Sequence, residues 1–94
     1  MVDAAFIEAR VHGALPHAEV HPTDLTGGGD HWHVAIVDAG FEGQRPLARQ
    51  RTVLAAFQDA LADGRVHALD LKCLTPDELR KRHGGRPPAP FAPH

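Results

Sequence analysis

The 94-residue chain is nearly without cysteine, carrying only Cys73. One thiol excludes an internal disulfide, a CxxC redox pair and any zinc or iron-sulfur site built from this chain's thiolates alone. Serine is missing altogether, and with it the Gly-x-Ser-x-Gly elbow of a serine hydrolase. An excess of positive charge is missing too. Ten Lys and Arg stand against twelve Asp and Glu, a formal net charge of −2 with neutral histidines, far from the basic footprint of nonspecific phosphate binding. No apolar run approaches the roughly 20 residues of a membrane-spanning helix. Nor does the N-terminus show the basic region and apolar stretch of a signal peptide. The expectation is a soluble, cytoplasmic chain in a reducing compartment, with no membrane partner.

What is present fits one small globular domain: 43% hydrophobic and 23% charged residues, and an unusual eight histidines. Asp3 caps a first helix to about Leu15, where spacing gathers Phe6, Ile7, Val11 and Leu15 on one face and Pro16 closes the element. An extended segment, Ala18 to Leu25, reads as an edge strand, because Pro22 cannot donate a ladder hydrogen bond. Gly27-Gly28-Gly29-Asp30 turns the chain. From His31 to Asp38 apolar residues recur with period two, placing Trp32, Val34 and Ile36 on one face and His31, His33 and Ala35 on the other. Pro46 opens a helical region reaching Ala62, with Leu47, Leu54, Phe57 and Leu61 at helical spacing. Val66 to Leu71 is a third strand. Thr75-Pro76-Asp77-Glu78 is a capping box that starts a last helix, which runs to His83 and stops at Gly84-Gly85. Residues 1–83 form the domain. Residues 84–94 are expected to be a disordered proline-rich tail.

The order read from the residues is α-β-β-α-β-α: helices over one face of a three-stranded sheet, a two-layer α+β sandwich. The long helical crossover favours parallel pairing of the second and third strands if they are neighbours. Their N-terminal ends would then lie together, bringing His67 to the turn that carries Asp30 and His31. Neutral imidazoles at that rim could each offer one nitrogen to a soft or borderline metal, with ligands still missing. His31 and His33 could also chelate one cation from a single strand face, though two ligands do not make a site. Cys73 sits between Leu71 and Leu74 on a strand, where a thiol is a packed side chain rather than a nucleophile. With no nucleophile-base pair or complete metal site visible, the chain does not read as an enzyme.

The run Thr26-Gly27-Gly28-Gly29-Asp30-His31-Trp32-His33-Val34, followed by Phe41-Glu42-Gly43-Gln44, Arg49-Gln50-Arg51-Thr52-Val53, Val66-His67-Ala68-Leu69 and Leu74-Thr75-Pro76-Asp77-Glu78, resembles the BolA family over about residues 4 to 82. Its Gly-x-Gly-x-His-aromatic stretch resembles the histidine-loop, IbaG-like branch. The resemblance implies an α-β-β-α-α-β(-α) fold similar to a class II KH domain, with a three-stranded mixed sheet. It also implies a complex with a monothiol glutaredoxin around a bridging 2Fe-2S cluster. The glutaredoxin cysteine and a glutathione thiol would ligate one side of that cluster. His67, matching the family's invariant histidine, and His31, matching its variable loop position, would ligate the other. Mixed thiolate and histidine ligation raises the reduction potential and makes binding sensitive to histidine protonation. The stretch carrying Arg45, Arg49 and Arg51 resembles the partner-docking surface. Gln50 stands where many members have histidine, and Trp32 where many have a smaller aromatic. The alternative function is a KH-like, DNA-binding transcriptional regulator, in which the same arginines would meet phosphate. Against it, Pro46 to Val53 lacks the Gly-x-x-Gly with which KH domains clamp a backbone.

Overall fold

The computed structural model describes residues 2–90. Helix α1 (Ala4–Ala14) starts where the Asp3 carboxylate accepts the Phe6 amide at 2.9 Å. Strand β1 (Glu19–Asp24) pairs antiparallel with β2 (His31–Val37), and β2 pairs parallel with β3 (Ala68–Leu74), in the sheet order β1-β2-β3. A 3-10 turn over Ala39–Phe41 leads to α2 (Pro46–Ala55) and α3 (Gln58–Ala62), and α4 (Pro76–His83) follows β3. This is the α+β fold expected from the resemblance, with its mixed sheet and its α-α pair between β2 and β3. β1 is the edge strand that Pro22 required.

The core lies on one sheet face. Ile7 and Val11 of α1 and Val53 of α2 meet Trp32, Val34 and Ile36 of β2 and Leu71 and Cys73 of β3, with Phe57 between the two middle helices. Each fully buried aliphatic side chain in this set is worth about 1.5–3 kcal/mol. Because side chains alternate along a strand, Val37 and Leu74 point to the opposite face, where Leu79 of α4 packs on them. The helices therefore do not all cover one face: α4 sits on the other, at the C-terminal end of the parallel pair.

Three further expectations are corrected. The helical region over residues 46–62 is two helices, because Ala56 and Phe57 donate to Val53 and Leu54 in tight i→i+3 turns. That redirection lets Phe57 and Ala60 reach the core. The buried line of α2 is Arg49 and Val53, continued by Phe57, whereas Leu47 is 58% exposed. An apolar pattern could not show this, because the buried position is occupied by an arginine.

The third correction concerns the tail. Residues 84–90 are not free: Gly84 takes the left-handed conformation (φ 61°) that ends α4, and the chain returns until Pro88 is buried against the outer sheet face. The Pro88 carbonyl lies 3.2 Å from Nε2 of His33, whose Nδ1 lies 2.8 Å from Asp70, its register partner on β3. A buried imidazole needs partners, and the returning segment supplies one. The remainder of the expected tail, 91–94, lies outside the described residues.

Candidate metal centre

Two strands and one turn build the rim of interest. The parallel register sets His31 opposite Ala68. The main-chain carbonyl of Asp30 accepts the amides of His67 at 2.7 Å and Ala68 at 3.2 Å, so the residue before β2 fixes the residue before β3. The turn itself is organised by Asp24, whose carboxylate accepts the amides of Thr26, Gly27 and Gly29 at 3.0–3.2 Å. Gly27 and Gly29 have φ of 78° and 75°, a region that side chains with a Cβ rarely enter. Trp32 closes the turn from beneath by donating its indole N–H to the Gly29 carbonyl at 2.9 Å.

On this frame His31 and His67 come together, their ring centroids 5.7 Å apart and their planes nearly perpendicular. The rim that the sequence places together is therefore assembled, and it is open: His67 precedes β3 and is exposed. A third group joins them. Asp30 sets Oδ1 at 3.1 Å from Nδ1 of His31 and Oδ2 at 3.5 Å from Nδ1 of His67. Asp30, His31 and His67 offer three donor atoms within 4.8 Å of one another, the one such group among the described residues. The Thr26 hydroxyl donates to Asp30 Oδ1 at 2.8 Å and, with His31 beside it, holds the carboxyl down at about 2, so the group is an anion at neutral pH.

Nδ1 of His31 is buried and has no hydrogen-bond partner among the described residues. It is close to Asp30 without the alignment a hydrogen bond requires. A buried ring nitrogen left without a partner is costly, and a metal at the rim would satisfy it. Imidazole nitrogens suit iron, so the donor set fits the cluster that the family resemblance implies, which His31 and His67 would hold. His33 shares their strand but not their site, since both of its ring nitrogens are engaged by Asp70 and Pro88. Asp30 was legible only as part of the turn. The signal that could have singled it out is a carboxylate immediately before a candidate ligand, at a turn abutting a parallel strand.

The other expected site residues separate. Arg45 and Arg51 are exposed. Arg49 is not on that surface: it is 6% exposed and turned inward. Its guanidinium reaches the carbonyls of Gln44 and Cys73 at 2.9 and 3.1 Å and forms a two-armed pair with Glu78 at 2.5 and 3.3 Å. Arg49 thus ties α2, β3 and α4 together and, buried there, is not presented to a partner or a phosphate. A groove of about 520 Å³ beside it, along the outer edge of β3, is lined by Gln44, Gln50, Lys72 and Arg82 among others and contains no histidine. Cys73 is buried, and burial pushes its thiol up to about 11, as befits a packed side chain.

The model of the family described as BolA-like protein matches residues 7–78. A protein from Acinetobacter guillouiae, described by its place in the rpoN-murA intergenic region, is 40% identical over 68 residues, 72% of this chain and 78% of that protein. The acid stress protein IbaG of Escherichia coli is 35% identical over 72 residues, 77% of this chain and 82% of that protein. Among solved structures, a BolA homologue from Coxiella burnetii superposes with a TM-score of 0.71 at 30% identity, covering 86% of this chain and all of that one. No helix is long and apolar enough to cross a membrane among the described residues.

Proposed function

The chain belongs to the BolA-like protein family, and from that premise we propose that it is a non-enzymatic partner of a monothiol glutaredoxin, sharing with it the ligation of a 2Fe-2S cluster. Its role is in iron-sulfur cluster trafficking and assembly, or in iron and redox sensing. His67 and His31 are this chain's ligands, and the glutaredoxin cysteine and glutathione supply the thiolates. The observation that carries the reading is the pairing of two imidazoles from the starts of neighbouring strands at one open rim, with a ring nitrogen buried and unpartnered among the described residues.

The chain's own thiol supports the need for a partner. Cys73 lies six residues beyond His67, about 20 Å along the strand, buried and held protonated. It cannot serve the rim. Exposure of His67 leaves room for a second protein to approach, and the exposed Arg45 and Arg51 on the α2 side remain available for docking. Imidazole ligands lose metal when protonated, so the cluster is less firmly held as pH falls through the histidine range. The regulatory reading, in which arginines of α2 grip DNA, keeps two of its three residues, since Arg49 is committed inside the fold.

The test is to mix the protein with a monothiol glutaredoxin, glutathione, iron and sulfide and record the visible spectrum. A cluster spectrum that differs from that of the glutaredoxin alone, and reverts with His67→Ala, is expected. A spectrum indifferent to both His67→Ala and His31→Ala would remove the ligand assignment. A DNA affinity that falls steeply with salt and is lost with Arg45 and Arg51 changed to Ala would favour the regulator instead.

A further inference from the structure

We infer that Asp30, His31 and His67 hold a single divalent cation of the Fe2+ or Zn2+ class on this chain alone, with Asp30 as the third ligand. This goes beyond the shared-cluster reading and does not depend on it, since it requires neither glutaredoxin nor sulfide.

The distances carry the argument. Around an ion with bonds of about 2.0–2.2 Å to nitrogen and oxygen, neighbouring tetrahedral ligand atoms are about 3.3–3.5 Å apart. Oδ1 of Asp30 lies 3.1 Å from Nδ1 of His31 and its other oxygen, Oδ2, lies 3.5 Å from Nδ1 of His67, so each imidazole has a carboxylate oxygen near that spacing. One donor atom from each of the three residues lies within 4.8 Å of the others, and the His67 ring is exposed. One donor is left unsatisfied: among the described residues Nδ1 of His31 is buried without a hydrogen bond although a carboxylate oxygen is beside it. Two imidazoles and a carboxylate this close, with one ring nitrogen unsatisfied, make a cation the natural occupant.

The frame is set before any ion arrives. Asp30 is fixed by its main chain to His67 and Ala68 and by its side chain to Thr26, and His31 is fixed by the strand register. The Asp30 carboxylate places an acidic group between the two imidazoles, the kind of donor that attracts a dication. Two nitrogens and one oxygen select the borderline first-row metals over Ca2+ and Mg2+, which take shells of oxygen. Water completes the coordination on the exposed side.

Co2+ is the probe, added to the tag-free full chain and followed by its visible absorption. One saturable equivalent is expected. Asp30→Asn keeps the shape and the acceptor for Thr26 while removing the charge, and it should weaken Co2+ binding by roughly tenfold or more, as should His67→Ala. His21→Ala, at an exposed histidine beside Glu19 on β1, should bind as the native chain does. Absence of a one-equivalent transition in the native chain, or an Asp30→Asn titration that overlays the native one, overturns the site. The same variants mixed with glutaredoxin, glutathione, iron and sulfide separate the two readings. Loss of Co2+ binding with a normal cluster spectrum in Asp30→Asn upholds the cation site. Unchanged Co2+ binding in Asp30→Asn with cluster loss in His67→Ala overturns it and leaves the shared cluster standing.

Discussion

Replacing Arg49 should cost stability rather than partner binding. Its guanidinium is buried, donates to two main-chain carbonyls and pairs with Glu78, and it lies 5.7 Å from the centre of the Phe41 ring. Arg49→Ala leaves the carbonyls of Gln44 and Cys73 without their donor and strands the Glu78 carboxylate. Removing one partner of a buried pair costs about 3–5 kcal/mol, and the low end applies because one edge of Glu78 reaches water. A loss of about 3 kcal/mol lowers the melting temperature of a domain this size by roughly 12–24 °C.

Glu78→Gln isolates the charge, because glutamine can keep the capping box in which Glu78 accepts the Thr75 amide at 2.9 Å. It should cost about 1–2 kcal/mol. Arg49 holds the Glu78 carboxyl at about 2, below its ordinary 4.5. A depressed carboxyl contributes stability that is present above its unfolded value and is lost as pH falls through its folded one. The gap between the native protein and Glu78→Gln should therefore be full above pH 4.5 and shrink toward pH 2. Urea unfolding followed by circular dichroism at several pH values reads both effects. If Arg49→Ala unfolds within about 0.5 kcal/mol of the native chain, as surface substitutions do, the buried-tie reasoning is refuted.

Other outcomes follow from the same contacts. His33→Ala should free the segment that returns over the sheet and cost about 1–3 kcal/mol, read as faster amide exchange and earlier proteolysis around residues 84–90. Unchanged protection there would refute the clasp. Leu47→Ala should leave stability within about 0.5 kcal/mol, whereas Val53→Ala on the buried side of α2 should cost about 2 kcal/mol, and a reversed order in urea melts would overturn the assigned face. The Cys73 thiol should react with an aromatic disulfide reagent only as the protein unfolds, because burial pushes it up to about 11, and a fast reaction of the native protein would contradict its packing.

Local patterns were legible because they depend on neighbours in the chain. Period two marked β2, Pro22 marked the edge, Asp3 and the Thr75-Glu78 box marked two helix starts, and all stand in the structure. The rim was legible as well, because a crossover between parallel neighbours brings their beginnings together and so sets His67 beside His31. Arg49 was not. Its charge reads as surface, and only the arrival of Glu78 and two carbonyls from other elements makes burial affordable. Leu47 misled for the converse reason, being apolar at a helix start that projects past the sheet.

The amino-acid sequence by itself determined where helix and strand lie along most of the chain and, once β2 and β3 are neighbours, favoured their parallel pairing and the meeting of the two histidines at their joint beginning, since these follow from periodicity, capping and chain connectivity. Tertiary structure alone decided which side of α2 faces inward, that α4 and residues 84–90 cover the second sheet face over His33, and that the Asp30 carboxylate stands between the histidines. Those outcomes depend on polar groups finding partners far along the chain, and such partners are chosen by packing in three dimensions rather than by sequence order.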